Sequence, residues 1–181
     1  ARYGEWIYHF YYRSIVFSYI SAWQIATREA RKKGKPPFSL SNEMVQYTFI
    51  QLAFIGGICW FFGWLAMSCY LAAATIGILL LETVNYIEHY GLSRRSLGEG
   101  KYERAMPAHS WNSDHVVGRL LMFELSRHSD HHYLASRKYQ VLRHHDESPQ
   151  MPTGYPGMML LALVPPAWFY VMNKRVSLYQ A

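Results

Sequence analysis

His128, His131 and His132 stand at i, i+3 and i+4 in Arg127-His128-Ser129-Asp130-His131-His132. A helix through them presents three imidazoles from one face, which is metal-ligand spacing. Imidazole suits iron, zinc, copper and nickel, whereas thiolates and carboxylates select other ions. A fourth imidazole, His89, lies in Asn85-Tyr86-Ile87-Glu88-His89-Tyr90-Gly91-Leu92, directly after a long apolar run. Two separate elements can therefore converge on one centre, and His89, His128, His131 and His132 are the candidate ligands.

A ligating imidazole usually donates its second ring proton to a carboxylate or carbonyl, which fixes its tautomer. Glu82 lies seven residues before His89 on the same helical face, in apolar sequence where an ionisable group is costly and marks function. Asp130, Glu88, Glu124 and Asp114 are weaker candidates for that supporting role. His109, His115 and His144 are expected around the ligands, His145 on the surface, and His9 apart from any metal. Zinc would suit a closed structural site, but such a site needs no apolar approach, whereas oxygen chemistry needs an open position on the metal. Ile78, Leu79, Leu81 and Leu125 lie near the ligands in sequence and suit a redox metal facing a hydrocarbon.

The elements that must hold these residues read as helices. From Met44 to Leu81 there is no Asp, Glu, Lys or Arg, a stretch about twice the roughly 20 residues that cross a bilayer. The pattern predicts two membrane spans, 45–62 and 65–86, broken near Gly63-Trp64, within a hairpin over 43–88. Both flanks are basic: Arg28, Arg31, Lys32, Lys33 and Lys35 precede the pair, and Arg94, Arg95, Lys101 and Arg104 follow it. Both ends of the hairpin are then cytoplasmic, with Trp60, Trp64 and Tyr70 suited to the outer interface. A soluble core hairpin of this length would show a polar face, and this one does not.

Residues 1–37 read as an amphipathic helix on the membrane surface, ended by Pro36-Pro37. Ser41 or Asn42 can cap the first span. Gly98-Glu99-Gly100 marks a loop. One helix is expected from about Asn112 to Tyr133, inside a cytoplasmic metal-binding region over 89–157. Residues 158–173 are apolar but interrupted by Pro165-Pro166, and are expected to be interfacial or re-entrant. The fold class is all-α, an integral-membrane helical bundle with a His-rich cytoplasmic cap. Cys59 and Cys69, both in the apolar run, offer neither a disulfide framework nor a Cys-x-x-Cys motif. The net charge of +6 follows from membrane-flanking basic residues, and nucleic-acid binding is not expected.

Four segments, NYIEHYGL at 85–92, KYERAMPAHSWNSDH at 101–115, LSRHSDHH at 125–132 and RKYQVLRHHDESPQMPTGYPGMMLLALVPP at 137–166, resemble the integral-membrane, non-haem di-iron alkane 1-monooxygenases. The resemblance covers almost the whole chain. It implies a bundle of about six spans in the bacterial inner membrane with the metal on the cytoplasmic side. His89, His128, His131 and His132 match family iron ligands. Two earlier histidine boxes of that family, of HxxxH and ExxxHH type, have no match here, so this chain is expected to be the C-terminal part, with further ligands upstream of Ala1.

The implied cofactors are two iron ions, with O2 as co-substrate and neither haem nor flavin. The implied reaction hydroxylates the terminal methyl of a medium-chain alkane, with electrons from NAD(P)H through rubredoxin reductase and rubredoxin, fused or separate. A related hydroxylase or desaturase acting on alkylbenzenes or fatty acyl chains, or a non-catalytic metal-binding module, are the alternatives. An alkane has no polar handle, so a narrow apolar channel must select the chain end. Ile78, Leu81, Asn85, Leu121 and Leu125 are expected to line its inner end. Lys138 and Arg143 are the expected docking charges for the electron donor.

Overall fold

The computed structural model describes residues 1–99 and 101–179. The described residues form α1 (Ile7–Lys32), α2 (Glu43–His89), α3 (Val116–Leu121), α4 (His128–Tyr133), α5 (Tyr155–Ala162) and α6 (Pro165–Val176). An antiparallel pair, β1 (Ser96–Gly98) and β2 (Lys101–Tyr102), flanks the expected loop. Gly98 and Glu99 turn that hairpin with φ of 88° and 50°, and Gly100 lies outside the described residues. Short 3-10 turns occur at Pro107–His109 and Tyr139–Val141. The chain divides into two compact units.

The unit over Tyr11–Leu80 holds most of α1 and the apolar length of α2. Gly34, at φ 68°, ends α1. The N–H of Gly34 bonds the Arg31 carbonyl and that of Lys35 bonds the Ala30 carbonyl, satisfying two end groups of the helix. Asn42 then starts α2: its Oδ1 accepts the Met44 N–H at 2.9 Å, and its Nδ2 donates to the Pro37 carbonyl at 2.6 Å. By length and composition α2 can cross a membrane, and none of its most apolar window is buried. Phe49, Trp60, Phe61, Phe62 and Trp64 are all exposed.

Within α2, Gly63 departs from helical geometry at φ 82°, ψ 171°. The Phe54 and Tyr70 rings meet with centroids 5.5 Å apart. Uninterrupted helix would separate two such residues by about 24 Å at 1.5 Å per residue. The chain therefore folds back at Gly63, the break expected from the sequence.

The other unit joins Ala1–Phe10 to the chain from Leu81 onward. Its core is aromatic: the Tyr86, Tyr90 and Trp168 rings lie within 5.4 Å of one another, and all three side chains are fully buried. The two tyrosine hydroxyls find partners, as buried phenols require. Tyr86 donates to the Glu5 carbonyl at 2.6 Å and Tyr90 to Asn173 Oδ1 at 2.7 Å. Met158, Ala162, Trp168 and Met172 of α5 and α6 are buried, and Leu160 and Tyr170 are exposed.

The single helix expected over 112–133 is corrected here. It is two short helices, α3 and α4, separated by a reversal in which Phe123 and Glu124 take φ of 49° and 63°. The Glu124 N–H bonds the Arg119 carbonyl at 2.8 Å, and both its carboxylate oxygens grip the Arg119 guanidinium at 2.8 Å. That pairing offsets the left-handed backbone cost, which falls on residue types that do not advertise it.

Candidate metal centre

The centre is built where α2 ends. Its last carbonyls are not left to water: Trp111 donates its backbone N–H to Glu88 and its indole N–H to Tyr90, both at 2.8 Å. Gly91 turns the chain away at φ 71°, and a Cβ there would stand 2.8 Å from the Val176 side chain, so only glycine fits. His89 is thereby fixed at the final turn.

α4 has six residues and no stability of its own. Its rear face supplies it. Asn112 Oδ1 accepts the Ser129 N–H at 2.9 Å, Asn112 Nδ2 donates to Ser129 Oγ at 2.6 Å, and Ser148 Oγ donates to the same hydroxyl at 2.8 Å. Asp130 is completely buried and receives Arg137 at 2.6 Å, the Arg143 N–H at 2.8 Å and His145 Nε2 at 2.8 Å. Burial raises the Asp130 pKa, but the bonds from His145, Arg143 and Arg137 outweigh it and hold the carboxyl below its usual range.

With that face buried, the histidines turn toward α2. His128 Nε2 lies 3.2 Å from His89 Nε2. The His132 ring sits 4.3 Å from the His128 ring and 5.1 Å from the His89 ring, centroid to centroid. One nitrogen from each of His89, His128 and His132 falls within a 4.8 Å set. The His131 ring is adjacent, 5.9 Å from that of His128 and 5.8 Å from that of His132, but outside the set.

Burial, followed by the neighbouring His89, His132 and His131, pushes His128 down to about 2. His132 is lowered too, by burial, His131 and Arg94. Neutral imidazoles keep lone pairs for a metal. Nδ1 of His128 is buried without a hydrogen-bond partner. A convergent imidazole set with an unused buried nitrogen fits a transition-metal ion such as iron.

The supporting groups are only partly those expected. Glu88 is fully buried, with Oε2 3.2 Å from His128 Nε2 and Oε1 accepting the Tyr155 hydroxyl at 2.9 Å. Glu82 is buried, and its Oε2 has no hydrogen-bond partner. The His109 backbone bonds the His89 ring. The His109 imidazole accepts the Met106 N–H at 3.0 Å and pairs with Glu103 at 3.3 Å. Asp114 pairs with Arg127 at 3.1 Å and with His144 at 2.5 Å, and His144 also meets Asp146. His115 is exposed at the start of α3.

The expected surface position of His145 is corrected: its side chain is 19% exposed and is bonded to Asp130. Tyr155, Arg137, Asn112, Ser129, Ser148 and Trp111 were not singled out from the sequence. Their contacts join residues 7, 17, 19, 21 and 67 apart, and no local pattern marks such pairs.

A cavity of about 360 Å³ opens onto His89 and His132, lined also by Ala1, Leu92, Arg94, Ala105, His109 and Ser110. None of the five expected channel residues borders it. Ile78, Leu81 and Leu121 are exposed in this chain, and Asn85 and Leu125 are half-buried. Lys138 and Arg143 are exposed, although the Arg143 backbone serves Asp130.

Residues 1–162 match the family model described as Fatty acid desaturase. The chain belongs to that family. It is 48% identical to Alkane 1-monooxygenase 1 of Pseudomonas aeruginosa over 181 residues, covering 100% of this chain and 47% of the relative. It is 45% identical to Alkane 1-monooxygenase 2 of Alcanivorax borkumensis, covering 99% and 47%. It is 32% identical to the xylene/toluene monooxygenase hydroxylase component of Pseudomonas putida, covering 94% and 45%. The chain thus spans about half the length of the curated relatives it matches.

Removing the Asp130 carboxylate leaves Arg137 and the Arg143 N–H without their buried partner. Asp130→Ala in the full-length protein should cost on the order of 3 kcal/mol. A fall in the thermal unfolding midpoint, with lost metal by elemental analysis, is the expected result; unchanged values for both would reject this anchoring role.

Proposed function

We propose that this chain is part of a membrane alkane 1-monooxygenase that hydroxylates the terminal methyl of n-alkanes at a di-iron centre. The observation that carries the reading is the gathering of His89, His128 and His132 in a chain 48% identical over its whole length to an alkane 1-monooxygenase. His131, beside them, is assigned to the same pair of irons. The remaining ligands come from the rest of the full-length protein. When bound, the irons supply the activation of O2.

What this chain supplies is position. His89, His128, His131 and His132 would hold the irons, and Glu88 and the His109 backbone steady the imidazoles. The substrate can be held only by apolar burial, worth roughly 0.8 kcal/mol per CH2. Ile78, Leu81, Asn85, Leu121 and Leu125 are assigned to the inner wall of the channel that admits one chain end.

The bilayer reading rests on the apolar, unburied length of α2 and on its basic flanks. We assign α2 to two crossings of a six-span bundle in the bacterial inner membrane, with the metal on the cytoplasmic side. Residues 1–37 lie along the surface, and 158–173 are interfacial or re-entrant. Rubredoxin, reduced by rubredoxin reductase and NAD(P)H, is the electron donor, and Lys138 and Arg143 offer exposed positive charge for an acidic partner.

A second reading, oxidation of an alkylbenzene methyl, is favoured by the likeness to the xylene/toluene monooxygenase component. Full-length protein in membranes, given rubredoxin and its reductase, should convert octane to 1-octanol in preference to xylene or a fatty acid. His128→Ala should lose both iron and product. Tightly held zinc without reducible iron would instead identify a non-catalytic module.

Leu81→Phe should shorten the longest alkane accepted. An unchanged product spectrum across chain lengths would remove Leu81 from the channel. Charge reversal at Lys138 and Arg143 to Glu should slow rubredoxin-driven turnover, most at low salt. Equal turnover at all salt concentrations would place the docking surface elsewhere.

A further inference from the structure

We propose that Tyr155 is a positioning residue of the metal centre, acting through Glu88 to set the orientation of His128. The inference rests on the metal-centre reading above and deepens it. Tyr155 begins α5, 67 residues from Glu88 in sequence, yet its hydroxyl donates to Glu88 Oε1 at 2.9 Å. The other oxygen of that carboxylate stands 3.2 Å from His128 Nε2. Tyr155 and Glu88 are both essentially without solvent access. A buried carboxyl group has no water to bond with, so the phenol fixes which way it points.

The His128 ring is thus held from one side by Glu88 Oε2, 3.2 Å from its Nε2, while the same nitrogen stands 3.2 Å from His89 Nε2 in the imidazole set. Such carboxylate–imidazole pairs orient ligands and strengthen them as donors. The structure extends the pair by one member, because Glu88 holds this pose through the Tyr155 hydroxyl. The ring of Tyr155 packs the core, and only its oxygen belongs to the relay.

The experiment separates the ring from the oxygen. Full-length protein carrying Tyr155→Phe, Glu88→Gln or both is titrated with Fe(II) against a competing chelator, and the bound iron is examined by Mössbauer spectroscopy. Tyr155→Phe is expected to weaken iron binding about tenfold, the low end of the range for such partners, with an altered quadrupole splitting. The double variant should bind no more weakly than Glu88→Gln alone.

Iron binding within twofold of the unmodified protein and an unchanged spectrum for Tyr155→Phe would overturn the proposal. So would losses that add fully in the double variant. Should Tyr155→Phe fail to fold, Glu88→Gln decides: unchanged affinity and spectrum reject the relay, and a changed spectrum supports it. If the unmodified protein binds no iron, the metal-centre reading fails instead, so the two failures are distinguishable.

Discussion

The placement of three histidines depends on a helix too short to stand alone. α4 has six residues, and what holds it is the burial of Ser129 and Asp130 in a network from Asn112, Ser148, Arg137, Arg143 and His145. Each of these buried polar groups is costly unless paired, so the network tolerates little displacement. With the rear face fixed, the opposite face has one direction open to it, toward the end of α2. The imidazole cluster is the opposite side of a buried polar lock.

The end of α2 is held by a different device. Trp111 caps two terminal carbonyls, and Gly91 leaves at an angle that Val176 forbids to any side chain. The aromatic core of Tyr86, Tyr90 and Trp168 secures the turn just before His89. His89 and His128 therefore meet because two independently anchored ends point at each other. Burial and the neighbouring imidazoles disfavour a charged His128, so the same packing that positions it preserves a lone pair on its ring.

The apolar length of α2 obeys another constraint. It is hydrophobic on every side and none of its most apolar window is buried, so its surroundings must be apolar as well. Gly63 lets the chain fold back within that length, a reversal set locally by one residue without a Cβ.

The sequence by itself determined the local quantities: helices over α1 and α2, a break near Gly63-Trp64, a cap for α2 at Ser41 or Asn42, and the spacing that gathers His128, His131 and His132 on one face. Each rests on contacts between near neighbours, where residue type is enough. Tertiary structure decided the rest. The pair Phe123 and Glu124 takes left-handed backbone because Arg119 rewards it, so one expected helix became two. His145 went inward because Asp130 needed a donor, and Tyr155 reached Glu88 across 67 residues. Buried polar pairs of this kind are chosen by which partner lies within hydrogen-bond reach after folding, and sequence spacing carries no trace of that distance.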